Sequence, residues 1–194
     1  MSTLREVNDL IERMQRLIHR SGVTLGEGQV WSAEVPGFGM QTYRVTGMKS
    51  PAEIEDDLSS LGLWVWSVKD HLKKLVQSRG GDPEDVERYV NSTPDLQICA
   101  DIANTAKHGQ LNRSRTGRNV RADRPTFEIP QAAVGALTFL KNEVRVDVSK
   151  PELVTFKYPL VDDSGREVGD ALKHLVAGVA AWEGYVEHLC RLPP

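Results

Sequence analysis

Asp101, Asn104 and His108 stand three and four residues apart, a spacing that on a helix brings an acid, an amide and an imidazole within about 60° of one another. Such a trio can move a proton, hold a polar ligand or close a buried hydrogen-bond network. Lys107 adjoins it, His108 falls at the expected helix end, and Ile98, Ile102 and Ala106 turn elsewhere. Downstream the chain becomes basic. Lys107, Arg113, Arg115, Arg118, Arg121 and Arg124 give six positive charges against one acid, Asp123, within eighteen residues. The planar fork of arginine suits phosphate oxygens, so these five arginines are candidate contacts for RNA or another phosphate-bearing ligand. No aromatic residue is interleaved among them, so a base-stacking platform is missing from that segment.

The stretch from Ile98 to Gly109, ICADIANTAKHG, resembles the signature helix end of HEPN-type domains. These are helical bundles whose motif is an arginine, a polar residue that is often asparagine, three variable residues and a histidine. Asn104 and His108 match the last two elements, and Ala103 stands where the family has its arginine. The Trp-containing helix from Trp64 to Leu75 is similar to the one that precedes the motif in bacterial proteins with an Asn-x-x-Lys-His signature, here Asn104, Lys107 and His108. The resemblance covers about residues 50 to 110. It implies a homodimer. Active members of the family resemble metal-independent ribonucleases, in which the histidine shuttles the 2′-hydroxyl proton and a cation stabilises the phosphorane.

With alanine at 103, the resemblance implies a noncatalytic module that dimerises and binds a partner protein or nucleic acid. Two alternatives stay open. One is a ribonuclease of toxin or phage-defence type with His108 as general acid and base, assisted by Asn104, Lys107 and Asp101. The other is a structural role in which Asp101, Asn104 and His108 only pin helix packing.

The elements that must position these residues follow from periodicity. Leu4, Val7, Ile11, Met14 and Ile18 mark a helix over 3–20. Ser50-Pro51-Ala52-Glu53 reads as a capping box opening a helix over 51–79, with Leu58, Leu61, Val65, Val68, Leu72 and Leu75 as its apolar stripe. Trp64 and Trp66 flank it on two sides, so both faces need cover, and with Trp182 they read as core or interface residues. Helices over 83–91, 95–108 and 169–191 complete the set.

Strands are expected at about 29–35 and 40–46, turning at Pro36-Gly37-Phe38-Gly39, and at 134–140, 143–148 and 153–161. Ala132 to Leu140 is also a good helix former. Residues 109–130 read as a loop. The outcome is one α+β domain of 194 residues, a helical bundle with an antiparallel sheet at its edge.

Composition excludes several classes. The chain is 40% apolar and 26% charged, unlike a disordered segment. A net charge of −3 gives no global attraction to nucleic acid or acidic membranes. No zinc-type Cys/His spacing, Gly-rich phosphate loop or Gly-x-Ser-x-Gly elbow occurs, so no metal or cofactor is expected. Cys99 and Cys190 read as buried thiols. Without a signal segment or an apolar run of about 18 residues, a cytoplasmic protein with no membrane partner is expected.

Overall fold

The computed structural model describes residues 4–109 and 114–191. In chain order these form α1 (Leu4–Gly22), β1 (Gln29–Val35), β2 (Gly39–Thr46), α2 (Pro51–Ser78), α3 (Glu84–Ser92) and α4 (Pro94–His108). There follow β3 (Arg121–Ala122), β4 (Thr126–Glu128), β5 (Val134–Phe139), β6 (Glu143–Val148), β7 (Thr155–Lys157), β8 (Pro159–Val161), β9 (Glu167–Asp170) and α5 (Ala171–Arg191). Single 3₁₀ turns precede β5 at Gln131–Ala133 and β7 at Pro151–Leu153. The class is α+β.

The chain divides into two compact units. The first takes in the described parts of Met1–Arg20, Asp57–Asp123 and Tyr158–Pro194; the second comprises Ser21–Asp56 and Arg124–Lys157.

In the first unit the apolar stripes meet. Val7, Met14, Leu61, Val65, Val68, Leu72, Leu96, Cys99 and Leu175 have no measurable exposure, and neither does Trp182. Trp182 donates its indole N–H to the Val65 carbonyl of α2 at 2.9 Å, so the largest core side chain is also satisfied as a donor. α5 approaches α4 through Gly178, where a Cβ would lie 2.6 Å from Cys99 Sγ. α3 is tied to α5 by Tyr89, whose hydroxyl donates to the Ala181 carbonyl at 2.9 Å.

A small sheet of β3, β8 and β9 belongs to this unit. Residues 153–161 do not form the one strand that their composition predicts. Pro159 has no N–H for a continuous ladder, and β7 pairs with β4 while β8 pairs with β3 and β9.

The second unit is a four-stranded sheet in the order β1-β2-β6-β5, joined by the β4/β7 ribbon. The hairpin expected at Pro36-Gly37-Phe38-Gly39 is present, and β5 and β6 form a second antiparallel pair. The pairing between them is parallel rather than antiparallel, with Tyr43 opposite Val144 and Val45 opposite Val146. Nearly a hundred residues separate those strands, so no tight turn dictates their direction. Val45, Met48, Ala133, Val148 and Val154 make the core, with Phe127, Ile129, Val146 and Phe156 against it. Gly47 is required here, because its φ is +80° and a Cβ would lie 2.3 Å from the Val148 carbonyl oxygen.

The capping box at the start of α2 forms as its sequence predicts. Glu53 accepts the Ser50 N–H at 2.7 Å, and Ser50 Oγ accepts the Glu53 N–H at 3.2 Å. Burial pushes the Glu53 carboxyl up, yet the Ser50 hydrogen bonds outweigh this and hold it below its ordinary range.

Candidate functional site

α4 begins with Pro94 in its first turn and ends at Gly109, whose left-handed backbone (φ 72°) returns its N–H to the Thr105 carbonyl. Along this helix the polar stripe separates into three environments. Asp101 is fully buried, Asn104 half-buried and His108 exposed. Lys107 is exposed beside it.

Asp101 organises the loop that follows. One carboxylate oxygen accepts the Arg115 N–H at 2.7 Å; the other accepts the Ser114 and Thr116 hydroxyls, both at 2.6 Å, and the Thr116 N–H at 3.3 Å. Every partner is a donor, as an acceptor-only group requires. The two hydroxyls in turn accept from the chain, Ser114 Oγ from the Asn119 N–H at 3.1 Å and Thr116 Oγ1 from the Arg118 N–H at 3.2 Å. Gly117 (φ +69°) and Asn119 (φ +50°) carry the tight return. Residues 114–119 of the basic segment are therefore a ball of hydrogen bonds wound around one buried acid.

Arg115 is drawn inward by this anchor. Its guanidinium pairs with Glu87 of α3 at 2.9 Å, donates to Asn91 Oδ1 at 3.0 Å, and lies 4.9 Å from the centre of the Trp66 ring. Lys69 reaches the same ring at 4.5 Å and Glu87 at 3.3 Å, while Lys73 bonds Glu87 at 3.2 Å. Glu87 thus serves three cations. Burial alone pushes its carboxyl up, but hydrogen bonds from Lys73 and Arg115 and the charge of Lys69 prevail and hold it at about 2. Trp66, on the far face of α2, is covered by these two cations.

Trp66, Asn91, Asn104, Ser114 and Arg115 line a hollow of about 550 Å³. Of the sequence candidates, the structure brings Asn104 and Arg115 to this hollow, with Asp101 behind it. Arg118 and Arg121 lie on the exposed side of the loop and β3. Arg124 is exposed in the second unit. Arg113 lies outside the described residues.

Glu87, Lys69, Lys73, Asn91 and the Ser114/Thr116 pair escaped the sequence reading. Lys69 and Lys73 share a helix face, and that pair of like charges signals an acid opposite. Ser-x-Thr after a helix is a weak turn signal.

Position 103, the arginine position of the resembled motif, is core. Ala103 is 1% exposed, and a Cβ at Gly62 of α2 would come within 3.9 Å of its backbone nitrogen.

A second cluster joins residues that the sequence scatters. His174 Nδ1 lies 2.7 Å from Asp95 Oδ1, and Cys99 Sγ donates to the His174 carbonyl at 3.4 Å. Burial pushes the Cys99 thiol up, and the Asp95 charge adds to it, the reverse of what a nucleophilic thiolate needs. Cys190, read from sequence as buried, is exposed at the end of α5. Its stripe neighbours Val186 and Leu189 take the inward side. Among the described residues no group of three or more His, Cys, Asp or Glu is placed to hold a metal ion. No described helix is long and apolar enough to cross a membrane. Neither a protein-family model, nor a curated protein, nor a solved structure matches the chain.

Proposed function

We propose that the chain is a noncatalytic HEPN-like module that dimerises and binds RNA through the face beginning at His108 and continuing over the Asp101-anchored loop. The observation that carries this reading is the state of its arginine positions. The motif arginine is replaced by a core alanine, Ala103, and Arg115 is occupied by Glu87 and Asn91. Neither position therefore offers His108 a free guanidinium to stabilise a phosphorane. Exposed Lys107, Arg118 and Arg121 supply phosphate contacts on the loop surface, and the anchor limits the ordering cost of presenting them.

The test is an electrophoretic shift with a labelled single-stranded RNA at low salt, with light scattering over a dilution series. The expected result is a shift that weakens at least tenfold in R118A/R121A, persists in H108A and leaves the RNA intact. A scattering mass twice that of the chain is expected alongside. Absence of any shift, or RNA cleavage that H108A abolishes, would overturn the reading. A monomer at every concentration would remove its dimeric part.

A further inference from the structure

The C-terminal end of α2, α3 and the last turns of α5 surround a hollow of about 760 Å³, within the size range of small-molecule sites. Tyr89 and Tyr185 form one wall, their rings 4.7 Å apart, and Val76 and Leu189 add aliphatic surface. Trp182 packs edge-on to Tyr185 at 6.2 Å, so the aromatic wall is braced from the core.

Three features suggest an occupant rather than a packing gap. Tyr185 is only 8% exposed, yet its hydroxyl has no hydrogen-bond partner among the described residues, whereas that of Tyr89 is satisfied by Ala181. The oxygen itself is not shut off from the hollow, so its hydrogen-bonding capacity is open to an occupant, and burial of the ring pushes this phenol above its ordinary range.

Gly184 lines the hollow in the middle of α5. Glycine is the poorest helix-interior residue after proline, and a Cβ here would meet nothing within 4 Å. Gly178 in the same helix has a packing reason, its contact with Cys99; Gly184 has none except the open hollow.

The charges are unequal. Arg88 is held by two acids, Asp82 at 3.1 Å and Asp85, and is not available to a ligand. Arg79 has no acidic partner among the described residues and gives one N–H to the Leu189 carbonyl at 3.0 Å, which leaves other donors of its planar fork for an anion.

From the aromatic wall, the unsatisfied hydroxyl and the uncompensated guanidinium, we infer that this hollow binds a planar aromatic carboxylate of one or two rings. Its ring stacks on Tyr89 and Tyr185, and its carboxylate is met by Arg79 and the Tyr185 hydroxyl. This site is separate from the residues of the RNA-binding reading and does not depend on it.

The experiment titrates 2-naphthoate into the full chain by calorimetry, with 2-naphthamide as the uncharged comparison. Saturable binding is expected, at least tenfold tighter for the acid than for the amide. R79Q should erase that preference while leaving the amide unchanged. Y185F should weaken the acid severalfold. G184L should abolish binding with an unchanged or higher melting temperature, because leucine favours the helix and its side chain fills the space. No saturable heat from 2-naphthoate at millimolar concentration overturns the inference. So does equal binding of acid and amide, or G184L binding as well as the parent. If G184L changes the mass in solution, the hollow is a subunit contact and the inference is wrong.

Discussion

The Asp101 carboxylate accepts the backbone N–H of Arg115 at 2.7 Å, fourteen residues further along the chain. This single contact relates the acid of the motif helix to the arginine segment that seemed a separate feature. Together with the Ser114 and Thr116 hydroxyls, it turns a charged stretch into a shaped loop whose Arg115 points back toward Trp66 and Glu87.

Asp101→Asn tests the anchor. The amide keeps one acceptor oxygen but presents an NH₂ to a set of partners that are all donors. A loss of about 3 kcal/mol is expected in urea unfolding, given the usual worth of hydrogen bonds to a buried charged group. Trypsin should also cut faster after Arg115 and Arg118. A variant within about 0.5 kcal/mol of the parent, with unchanged cleavage, would show that the loop is held by something else.

Glu87 makes stability depend on pH in a defined window. Its folded-state pKa, about 2, lies below the ordinary 4.5, so the contribution is complete above 4.5 and is lost as the pH falls toward 2. A shift of that size corresponds to roughly 3 kcal/mol at neutral pH, reduced to about 2 kcal/mol by screening of this partly exposed cluster. Denaturation of the parent and Glu87→Gln at pH 7, 4 and 2.5 should give a difference that is greatest at pH 7 and shrinks in acid. A difference independent of pH would refute the charge-based account.

The helices were legible because their signals are local and redundant. Ser50, Pro51 and Glu53 announce α2, and its six-residue apolar stripe is buried throughout. The short strands were not. β3 has two residues and β4 and β7 three each, too few for a period of two to register, and they exist only because partners distant in sequence pair with them. At the candidate site the spacing of Asp101, Asn104 and His108 correctly placed three polar groups on one helix. It could not show that the first is buried, the second lines a hollow and the third is exposed. That division depends on Ser114, Thr116 and Glu87, whose proximity to α4 is a tertiary fact. Trp66 was legible as a residue needing cover, but the cover proved to be Lys69 and Arg115, which side-chain hydrophobicity does not foretell.

The two thiols should differ sharply in reactivity. Cys99 is buried with its thiol pushed up by burial and by Asp95, whereas Cys190 is exposed. An aromatic disulfide reagent at pH 8 should therefore label one thiol in the native protein and two after unfolding in guanidinium, and Cys190→Ser should eliminate the native signal. Rapid native labelling of both would contradict the burial of Cys99.

The contact between Gly178 and Cys99 predicts coupling between α4 and α5. A Cβ at 178 would lie 2.6 Å from Cys99 Sγ, 3.3 Å from Val65 Cγ1 and 3.5 Å from Leu96 Cδ2, so only the sulfur is in serious conflict. Gly178→Ala should cost about 2 kcal/mol through overpacking, against a gain of about 1 kcal/mol in helix propensity. Cys99→Ala removes the sulfur and leaves a small void. In the double variant the new methyl occupies part of that void, so its stability should exceed the sum of the single effects by about 1 to 2 kcal/mol. The four proteins can be compared by urea denaturation at one pH. Additivity within about 0.5 kcal/mol would mean that the helices do not meet at these two residues, and the close approach of α5 to α4 would have to be withdrawn.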